Sequence, residues 1–292
     1  MSQLQPSSSI KNARAFCKSK LDELGVQSSG IDADLLMCAA LDVNRIYLYA
    51  HPEQAISDAQ HKRLTSLLRR RLQGEPMAYI LGKKEFFGRD YIVTPQVLIP
   101  RPETELLVET SLKYLEATED AKVLEVGSGS GCIAISLSLE HPKAYVESWD
   151  ISNDALQVAK KNQDRLGAKV SFKKKDALEP SSWVCQPKFD ILVSNPPYIA
   201  QSESQDIESG VKDFEPHTAL FAAEDGLAFY KTFAKKAGAV LKPNGIGIFE
   251  IGYSQADKIT EIFKMLGWDV ISVIKDYMGK QRLVVVSYSG KN

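Results

Sequence analysis

Beyond residue 104, short stretches of β-forming residues alternate with longer stretches in which apolar residues recur at helical spacing. The predicted strands cover residues 122–126, 144–149, 169–172, 189–194, 245–251, 268–274 and 283–288. The predicted helices cover residues 104–117, 131–140, 153–166, 226–241 and 255–266. Because strands that alternate with helices form right-handed crossovers, this order predicts an α/β fold with a mostly parallel, seven-stranded sheet that is covered on both faces.

The first 81 residues carry a different pattern. Apolar residues recur every three or four positions from about residue 10 to residue 81, which predicts several short helices, and Asp58 is the expected cap of the last long one. Residues 85–99 are rich in β-forming residues around Gly88 and predict a hairpin. We therefore expect a helical domain over residues 1–81, a β-hairpin linker over 82–103 and an α/β domain over 104–292.

Composition excludes several classes of protein. The 292 residues include 36 Lys and Arg against 37 Asp and Glu, a net charge of −1, whereas a protein that grips nucleic acid needs a clear excess of basic residues. The four cysteines, Cys17, Cys38, Cys132 and Cys185, are far apart, and so are the four histidines, so we expect no metal site and a reducing, cytoplasmic location. No run of 18 apolar residues and no signal-peptide pattern is present, so no membrane association is expected.

A glycine-rich turn follows the first strand of the α/β region. Its spacing is G-x-G-x-G, and the residues are Gly127, Ser128, Gly129, Ser130 and Gly131. Glycines suit such a turn because they adopt backbone angles that other residues resist and let a ligand approach the main chain. No Lys-Ser or Lys-Thr follows, which excludes a nucleotide P-loop, and the spacing disfavours the dinucleotide pattern. A purely structural turn remains an alternative.

Asp150 ends the second strand of this region, 19 residues beyond Gly131. A carboxylate at this position faces the crevice at the end of the sheet and can accept hydrogen bonds from the two ribose hydroxyls of an adenosine. The alternative is that Asp150 caps the helix that begins near residue 153. Together, the turn and Asp150 favour a ligand that has adenosine and amino-acid ends but no phosphate.

The most specific motif is Asn195-Pro196-Pro197-Tyr198, at the end of the strand predicted over residues 189–194. Two consecutive prolines fix the backbone and remove two amide donors, so acceptors dominate the turn. The Asn195 side-chain oxygen and the Pro196 carbonyl can each accept one N–H of a planar NH₂ group, and Tyr198 can lie against the face of that group. A rigid turn that merely ends the strand is the alternative.

This arrangement suits methylation of an amide nitrogen. The lone pair of such a nitrogen is delocalised into the carbonyl, and holding both N–H bonds favours a geometry that exposes the pair. Placing the nitrogen in line with an electrophilic methyl sulfonium makes the transfer effectively unimolecular. A strong base is not needed before transfer, because the nitrogen becomes acidic once it is methylated.

These motifs together resemble those of the release factor glutamine methyltransferases, the PrmC/HemK family within the class I S-adenosylmethionine-dependent methyltransferases. The resemblance covers nearly the whole chain and includes residues 74–82, 85–86, 98–105, 127–134, 193–200, 214–216 and 225–227. It implies a small N-terminal all-α domain that docks the substrate, a connecting β-hairpin and a Rossmann-like methyltransferase domain. It also implies methyl transfer from S-adenosyl-L-methionine to the side-chain amide N5 of the glutamine in the Gly-Gly-Gln motif of class 1 peptide chain release factors.

The resemblance assigns roles to single residues. The methionine part of the cofactor would be held by Gly127, Ser128, Gly129, Ser130 and Gly131. The rest of the cofactor would be bound by Asp150 at the ribose, by Asp176 and Ala177 along the adenine, and by Asn195. The target glutamine would be bound by Asn195, Pro196, Pro197 and Tyr198, with Asn195, Pro196 and Tyr198 as catalytic residues. The position of Arg101 makes it a further candidate for substrate binding. Family members often carry an aromatic residue where this chain has Ala177.

Two charged features have alternative interpretations. Arg101 can meet the cofactor carboxylate or the substrate, or it can be a surface charge before a helix that Pro102 starts. Residues 69–71 are all arginine, and they form either a solvated helix face or a surface that helps to dock a release factor.

We expect the protein to be a monomer.

Three other functions compete with glutamine methylation. Adenine also presents a planar NH₂ group, so an adenine N6 methyltransferase acting on flipped bases is the nearest, although the near-neutral charge counts against it. A catalytically silent interaction module would not need both the glycine turn and the Asn195 motif. A nicotinamide dehydrogenase is disfavoured by the glycine spacing.

Overall fold

The computed structural model describes residues 8–116, 118, 120–184, 186–205 and 207–289. Cys185 and Ala117, the predicted end of one helix, lie outside these residues. The chain divides into two compact units, one made of residues up to 82 together with 209–214, the other of residues 83–208 and 215 onward. The domain boundaries at 81/82 and 103/104 stay a prediction.

The structure forms the following elements. The helices are α1 (Ile10–Glu23), α2 (Ser29–Leu41), α3 (Arg45–Ala50), α4 (Asp58–Leu72), α5 (Met77–Leu81), α6 (Glu105–Leu115), α7 (Cys132–Glu140), α8 (Asn153–Leu166), α9 (Ser209–Lys212), α10 (His217–Leu220), α11 (Ala228–Lys236) and α12 (Ala256–Met265). The strands are β1 (Lys83–Phe86), β2 (Arg89–Ile92), β3 (Lys122–Val126), β4 (Tyr145–Asp150), β5 (Val170–Lys174), β6 (Phe189–Ser194), β7 (Ile199–Ala200), β8 (Phe221–Ala222), β9 (Leu241–Glu250), β10 (Trp268–Lys275) and β11 (Gln281–Tyr288).

The first unit is helical, as the apolar periodicity predicts. Its core contains fully buried side chains such as Leu36 of α2 and Leu64 of α4. Helix α4 begins with a capping box in which the Ser57 hydroxyl accepts from the Gln60 N–H and the Gln60 side chain accepts from the Ser57 N–H. The cap is therefore Ser57, and Asp58, the residue predicted from the sequence, is the first residue of the helix.

A pair of charged contacts stabilises the same unit. Asp34, whose side chain is almost fully buried, accepts hydrogen bonds from Arg14, Arg45 and Tyr49. Burial raises the pKa of Asp34, but the bonds from Arg14, Tyr49 and Arg45 outweigh it and hold the pKa below its ordinary value. The carboxylate is thus charged throughout the neutral range.

The second unit contains the predicted sheet. Its strand order is β10-β11-β9-β6-β3-β4-β5. Strands β9, β6, β3, β4 and β5 are parallel to one another, and β11 is antiparallel to both β9 and β10. The α/β fold with a mostly parallel seven-stranded sheet is thus confirmed. Strands β1 and β2 form the predicted antiparallel hairpin.

Alternate residues of the central strands face two separate cores. Val123 of β3 and Val193 of β6 pack into one apolar cluster, whereas Leu124 and Leu192 pack into the other. Because side chains alternate across a strand, strands that are apolar at nearly every position must be covered on both faces. The helices provide that cover, as the sequence predicts.

Strand β9 begins at Leu241, four positions earlier than the sequence indicates. Leu241 pairs with Phe189 of β6, and the Lys242 ammonium bonds to both oxygens of Asp190 at 2.7 and 2.8 Å. These cross-strand contacts hold a segment whose residues, Lys242 to Gly245, have low strand propensity. Helix α11 correspondingly ends at Lys236 instead of reaching residue 241.

The Asn162 side chain of α8 bonds to two backbone segments inside the second unit. Its side-chain oxygen accepts from the Ile92 N–H at 2.7 Å, and its NH₂ group donates to the carbonyls of Ile92 and Ser130, each at 2.9 Å. The side chain is fully buried. Asn162 thus provides hydrogen-bond partners for backbone groups of both strand β2 and the glycine turn.

We predict that Asn162→Ala lowers the free energy of unfolding by about 2–4 kcal/mol, because buried backbone groups lose their partners. Asn162→Asp is the matched variant, since it keeps the acceptor for Ile92 but sets an oxygen against two carbonyls. Chemical denaturation measures both. Unfolding midpoints equal to that of the wild-type protein would contradict the assignment.

Candidate active site

The glycine turn follows β3 and is folded back on the end of β4. The N–H groups of Gly127 and Ser128 both donate to the Trp149 carbonyl, at 2.8 and 3.1 Å. Gly127 and Gly129 have φ angles of +90° and +50°, which favour glycine. A Cβ on Gly127 would lie 3.7 Å from the Asn195 carbonyl, so the turn passes close to the Asn195 motif.

Gly131 requires glycine for a different reason. Its φ is +81°, and a Cβ there would lie 2.9 Å from Ile135 Cδ1 and 3.1 Å from Ala159 Cβ. Such approaches are shorter than ordinary van der Waals contacts, so Gly131 allows α7 and α8 to pack closely. Gly131 does not line the cavity described below.

Asp150 lies at the end of β4, beside the turn. One of its oxygens accepts from the Gly129 N–H at 2.9 Å and the other from the Ser152 N–H at 2.9 Å. Burial raises the pKa of Asp150, and backbone N–H groups partly offset this rise. The cap of α8 is Ser152, whose hydroxyl accepts from Ala155, so the alternative that Asp150 caps this helix is wrong.

The Asn195 motif follows β6, the strand next to β3. The Asn195 NH₂ group donates to the Thr104 hydroxyl at 3.1 Å, and this hydroxyl donates to the Glu250 carboxylate at 2.7 Å. The side-chain oxygen of Asn195 is thereby left for a ligand. Thr104 and Glu250 are both buried, and sequence reasoning did not single them out because they lie far from Asn195 along the chain.

Tyr198 is held by its backbone and packs inward. Its carbonyl accepts from the Gln255 side chain at 2.9 Å, and its ring packs against the apolar cluster that contains Tyr230. Burial raises the pKa of Tyr198 to about 12. The ring does not line the cavity, although the sequence places it against the ligand.

A cavity of about 330 Å³ brings most of the predicted residues together. Those that line it are Arg101, Gly127, Ser128, Gly129, Ser130, Asp150, Asp176, Ala177, Asn195, Pro196 and Pro197. Residues that line it without having been predicted include Thr104, Ile151, Lys175, Leu178 and Phe229. Ile151 and Leu178 are 54% and 45% exposed, so a flat apolar ligand group can cover them. In the sequence, the only sign of Ile151 and Leu178 as cavity residues was that each is an apolar residue in a segment that follows a strand.

Asp176 and Ala177 lie on the wall of this cavity. The Asp176 side chain accepts from the Leu178 N–H at 2.8 Å, and the Ala177 carbonyl accepts from the buried Trp183 indole at 2.8 Å. Both bonds fix the backbone that a ligand would meet. Ala177 supplies no ring for stacking, in line with the departure noted in the sequence.

Arg101 faces the cavity and is paired. Its guanidinium lies 2.5 Å from Glu215 Oε1, and Glu215 Oε2 accepts from the Ile99 N–H at 3.0 Å. The Glu215 carboxylate is buried, so this pair fixes the loop before α6. Arg101 is thus more than a solvated surface charge.

Two buried polar atoms at the turn, Ser130 Oγ and Glu125 Oε1, lack hydrogen-bond partners among the described residues. Ser130 Oγ is buried next to the Cys132 thiol and has no nitrogen or oxygen partner among the described residues. Glu125 is fully buried beneath the turn, where it accepts from the Ser148 hydroxyl, and burial raises its pKa to about 8. A polar ligand in the cavity can satisfy Ser130, so the turn fits a ligand that has both polar and apolar parts.

Comparison with known proteins identifies the family. A family model named PrmC N-terminal domain matches residues 12–82, and a model named methyltransferase small domain matches residues 102–211. A release factor glutamine methyltransferase from Koribacter versatilis is 41% identical over 279 residues, which cover 94% of this chain and 97% of that protein. The chain belongs to the release factor glutamine methyltransferase family.

Other members and one solved structure agree with this assignment. The release factor glutamine methyltransferase from Bacteroides thetaiotaomicron is 38% identical over 87% of this chain and 90% of its own. A bifunctional methyltransferase from Rickettsia felis is 37% identical over 96% of this chain, which spans 58% of that longer protein. A methyltransferase structure from Pyrococcus furiosus, 18% identical, superposes with a TM-score of 0.51 over 78% of this chain and all of that one, which shows the shared class I methyltransferase fold.

The chain is therefore an S-adenosylmethionine-dependent methyltransferase. Among the described residues, no cluster of three His, Cys, Asp or Glu side chains could hold a metal ion. In the same part of the chain, no helix combines the length and the apolarity needed to cross a bilayer.

Two alanine substitutions separate the roles of the glycines. We expect Gly129→Ala to weaken S-adenosylmethionine binding at least tenfold with a modest loss of stability, because Gly129 lines the cavity and an added Cβ meets no protein atom within 4 Å. Gly131→Ala should lower stability by about 1–3 kcal/mol, because its Cβ meets Ile135 and Ala159. Calorimetry measures the cofactor affinity of both variants, and thermal unfolding measures their stability. Weaker binding in Gly131→Ala and lower stability in Gly129→Ala would contradict these roles.

Proposed function

We propose that this enzyme methylates the side-chain amide N5 of the glutamine in the Gly-Gly-Gln motif of class 1 peptide chain release factors. Membership of the release factor glutamine methyltransferase family supports the substrate. The observation that carries the chemistry is the orientation of the Asn195 amide. Its NH₂ group donates to Thr104, and Asn195 lines the same cavity as the glycine turn. Such a site offers acceptors to a planar NH₂ group.

The cavity residues fit S-adenosylmethionine. We assign the methionine part to Gly127, Ser128, Gly129 and Ser130, the ribose to Asp150, and the adenine to the wall formed by Asp176 and Ala177. The unpartnered Ser130 hydroxyl and the exposed Ile151 and Leu178 support a ligand with polar and apolar parts. When bound, the cofactor supplies an electrophilic methyl group. The predicted contact of Gly131 with the cofactor is not part of this assignment, because Gly131 packs against α8 and does not line the cavity.

The prolines shape the substrate end of the cavity. Pro196 and Pro197 have no N–H groups, so the backbone there presents carbonyl acceptors to the substrate. We assign one N–H of the target to Asn195 Oδ1 and the other to the Pro196 carbonyl. Arg101, fixed by Glu215, is proposed to contact the release factor backbone near the glutamine. Since Tyr198 packs inward, its proposed role is to hold the Asn195 turn from behind.

The helical unit is proposed to dock the release factor. Of the three consecutive arginines on α4, Arg70 pairs with Glu75 at 2.5 Å and Arg71 with Asp32 at 2.7 Å, so both stabilise the unit itself. Arg69 is exposed, as are Lys62 and Arg63 on the same helix. We propose that these exposed cations contribute to docking, that the enzyme acts as a monomer, and that it works in the cytoplasm with the translation apparatus.

Transfer of a labelled methyl group tests the proposed function. We expect label on a class 1 release factor, and none on its variant with the Gly-Gly-Gln glutamine replaced or on duplex DNA. Asn195→Ala should bind the cofactor normally but lose about 10- to 100-fold or more in kcat, because the substrate NH₂ loses an acceptor. Label on DNA would instead establish the adenine reaction, and full activity of Asn195→Ala would remove Asn195 from the catalytic group.

Asp150 is tested through cofactor affinity. Asp150→Ala should weaken S-adenosylmethionine binding about tenfold or more, since two hydroxyl partners and the bond to Gly129 are lost together. Asp150→Asn is the matched variant, because it keeps one acceptor and the shape of the residue. Calorimetry that finds unchanged affinity in Asp150→Ala would exclude the ribose assignment.

A further inference from the structure

Three side chains from separate segments form a chain of hydrogen bonds that leads inward from the cavity wall. Asn195 follows β6, Thr104 precedes α6, and Glu250 ends β9. Asn195 Nδ2 lies 3.1 Å from Thr104 Oγ1, which lies 2.7 Å from Glu250 Oε2. Thr104 and Glu250 are each only 2% exposed, so water does not compete for these bonds.

The number of protons in this chain determines its direction. A threonine hydroxyl carries one proton, and an ionised carboxylate can only accept. Thr104 must therefore donate to Glu250, and its oxygen can then only accept from Asn195. This forces the Asn195 NH₂ group toward Thr104 and leaves the amide oxygen as the group that a ligand meets.

We infer that Glu250 and Thr104 are positioning residues that fix the orientation of the Asn195 amide, so that its oxygen and not its NH₂ group meets the substrate amide. This inference rests on the proposed role of Asn195 as an acceptor. Neither residue needs to contact the reacting atoms. An asparagine amide is nearly symmetric in shape, so packing alone does not select one of its two orientations, whereas hydrogen-bond donors and acceptors do.

Protonation of Glu250 would remove this control. A neutral Glu250 can donate to Thr104, which can then donate to the Asn195 oxygen, and the amide turns its NH₂ group toward the substrate NH₂ group. Two donors would then face each other, and the acceptor would be lost. Productive binding of the glutamine thus requires the ionised carboxylate.

The surroundings of Glu250 set the pH at which this occurs. Burial raises the pKa of Glu250 to about 7, and Glu103 raises it further, while the bond from Thr104 and the charges of Arg282 and Arg101 lower it. Tyr198, Tyr230 and Cys132 also lie near this carboxylate and stay neutral at pH 7, since burial raises the pKa of each. The ionised fraction of Glu250 rises with pH, so kcat should rise through about pH 7 and level off above it.

The first test is the pH profile of kcat with saturating cofactor and release factor. Glu250→Gln should lower kcat about tenfold or more at pH 8, because the glutamine no longer dictates the direction of the chain. Glu250→Gln should also abolish the fall of kcat below pH 7. If Glu250 had only a structural role, this fall would persist in the variant. Glu261→Gln, an exposed substitution on α12, serves as the control.

Thr104 provides a second test that does not depend on Glu250. Thr104→Val keeps the shape but leaves the Asn195 NH₂ group without a partner, and kcat should fall about tenfold or more. Thr104→Ser restores the hydroxyl and should recover most of that loss. Equal kcat values for the Val and Ser variants would overturn the inference, and so would an acid limb that persists in Glu250→Gln.

A double variant ties the effect to Asn195. In the Asn195→Ala background, Glu250→Gln should cause less than a twofold further loss of kcat, because no amide remains to be oriented. Independent, multiplicative losses would overturn the inference. Failure of the proposed function is distinguishable, since the wild-type enzyme would then transfer no label to the release factor at any pH.

Discussion

The register between β3 and its two parallel neighbours is the constraint on which the site depends. Val126 pairs with Trp149 on one side and with Ser194 on the other, so all three strands end at the same level. The residues that directly follow these three are Gly127, Asp150 and Asn195, and they meet in the cavity at the carboxyl ends of the strands. A shift of one residue would turn each of these strands over and place core side chains in the cavity.

Short polar contacts reinforce this register at the level of the turn. The Ser194 hydroxyl donates to the Val126 carbonyl at 2.6 Å, and the Ser128 and Ser148 hydroxyls lie 2.6 Å apart. All three serines are buried, and the Ser194 hydroxyl satisfies a carbonyl at the end of β3. The ends of these strands thus form the floor of the cavity, and residues from the segments 96–104 and 216–223 form its walls.

The features that sequence predicted well are those with a local physical cause. Helix α8 and strands β3 and β6 agree with their predicted bounds because apolar periodicity and glycine or serine boundaries are written in the segment itself. The early start of β9 was missed because Lys242 is held by Asp190, a contact 52 residues away. The strand propensity of residues 242–245 does not indicate this contact.

The same distinction applies to the site. The glycine turn, Asp150 and Asn195 could be identified because strand ends and their loops follow a local pattern, and the family resemblance added their roles. Thr104 and Glu250 could not, since Thr104 lies 91 and 146 residues from its two partners. The inward packing of Tyr198 and the pairing of Arg71 with Asp32 likewise depend on contacts between distant segments.

The bonds of Asn162 carry a consequence for how this protein can vary. All three go to backbone groups, namely the N–H and carbonyl of Ile92 and the carbonyl of Ser130. Every residue except proline provides the same N–H group and carbonyl, so the side chains at positions 92 and 130 can drift without releasing the glycine turn from the hairpin. A substitution at position 130 can therefore alter the lining of the cavity while the bond from Asn162 still holds the backbone of the turn.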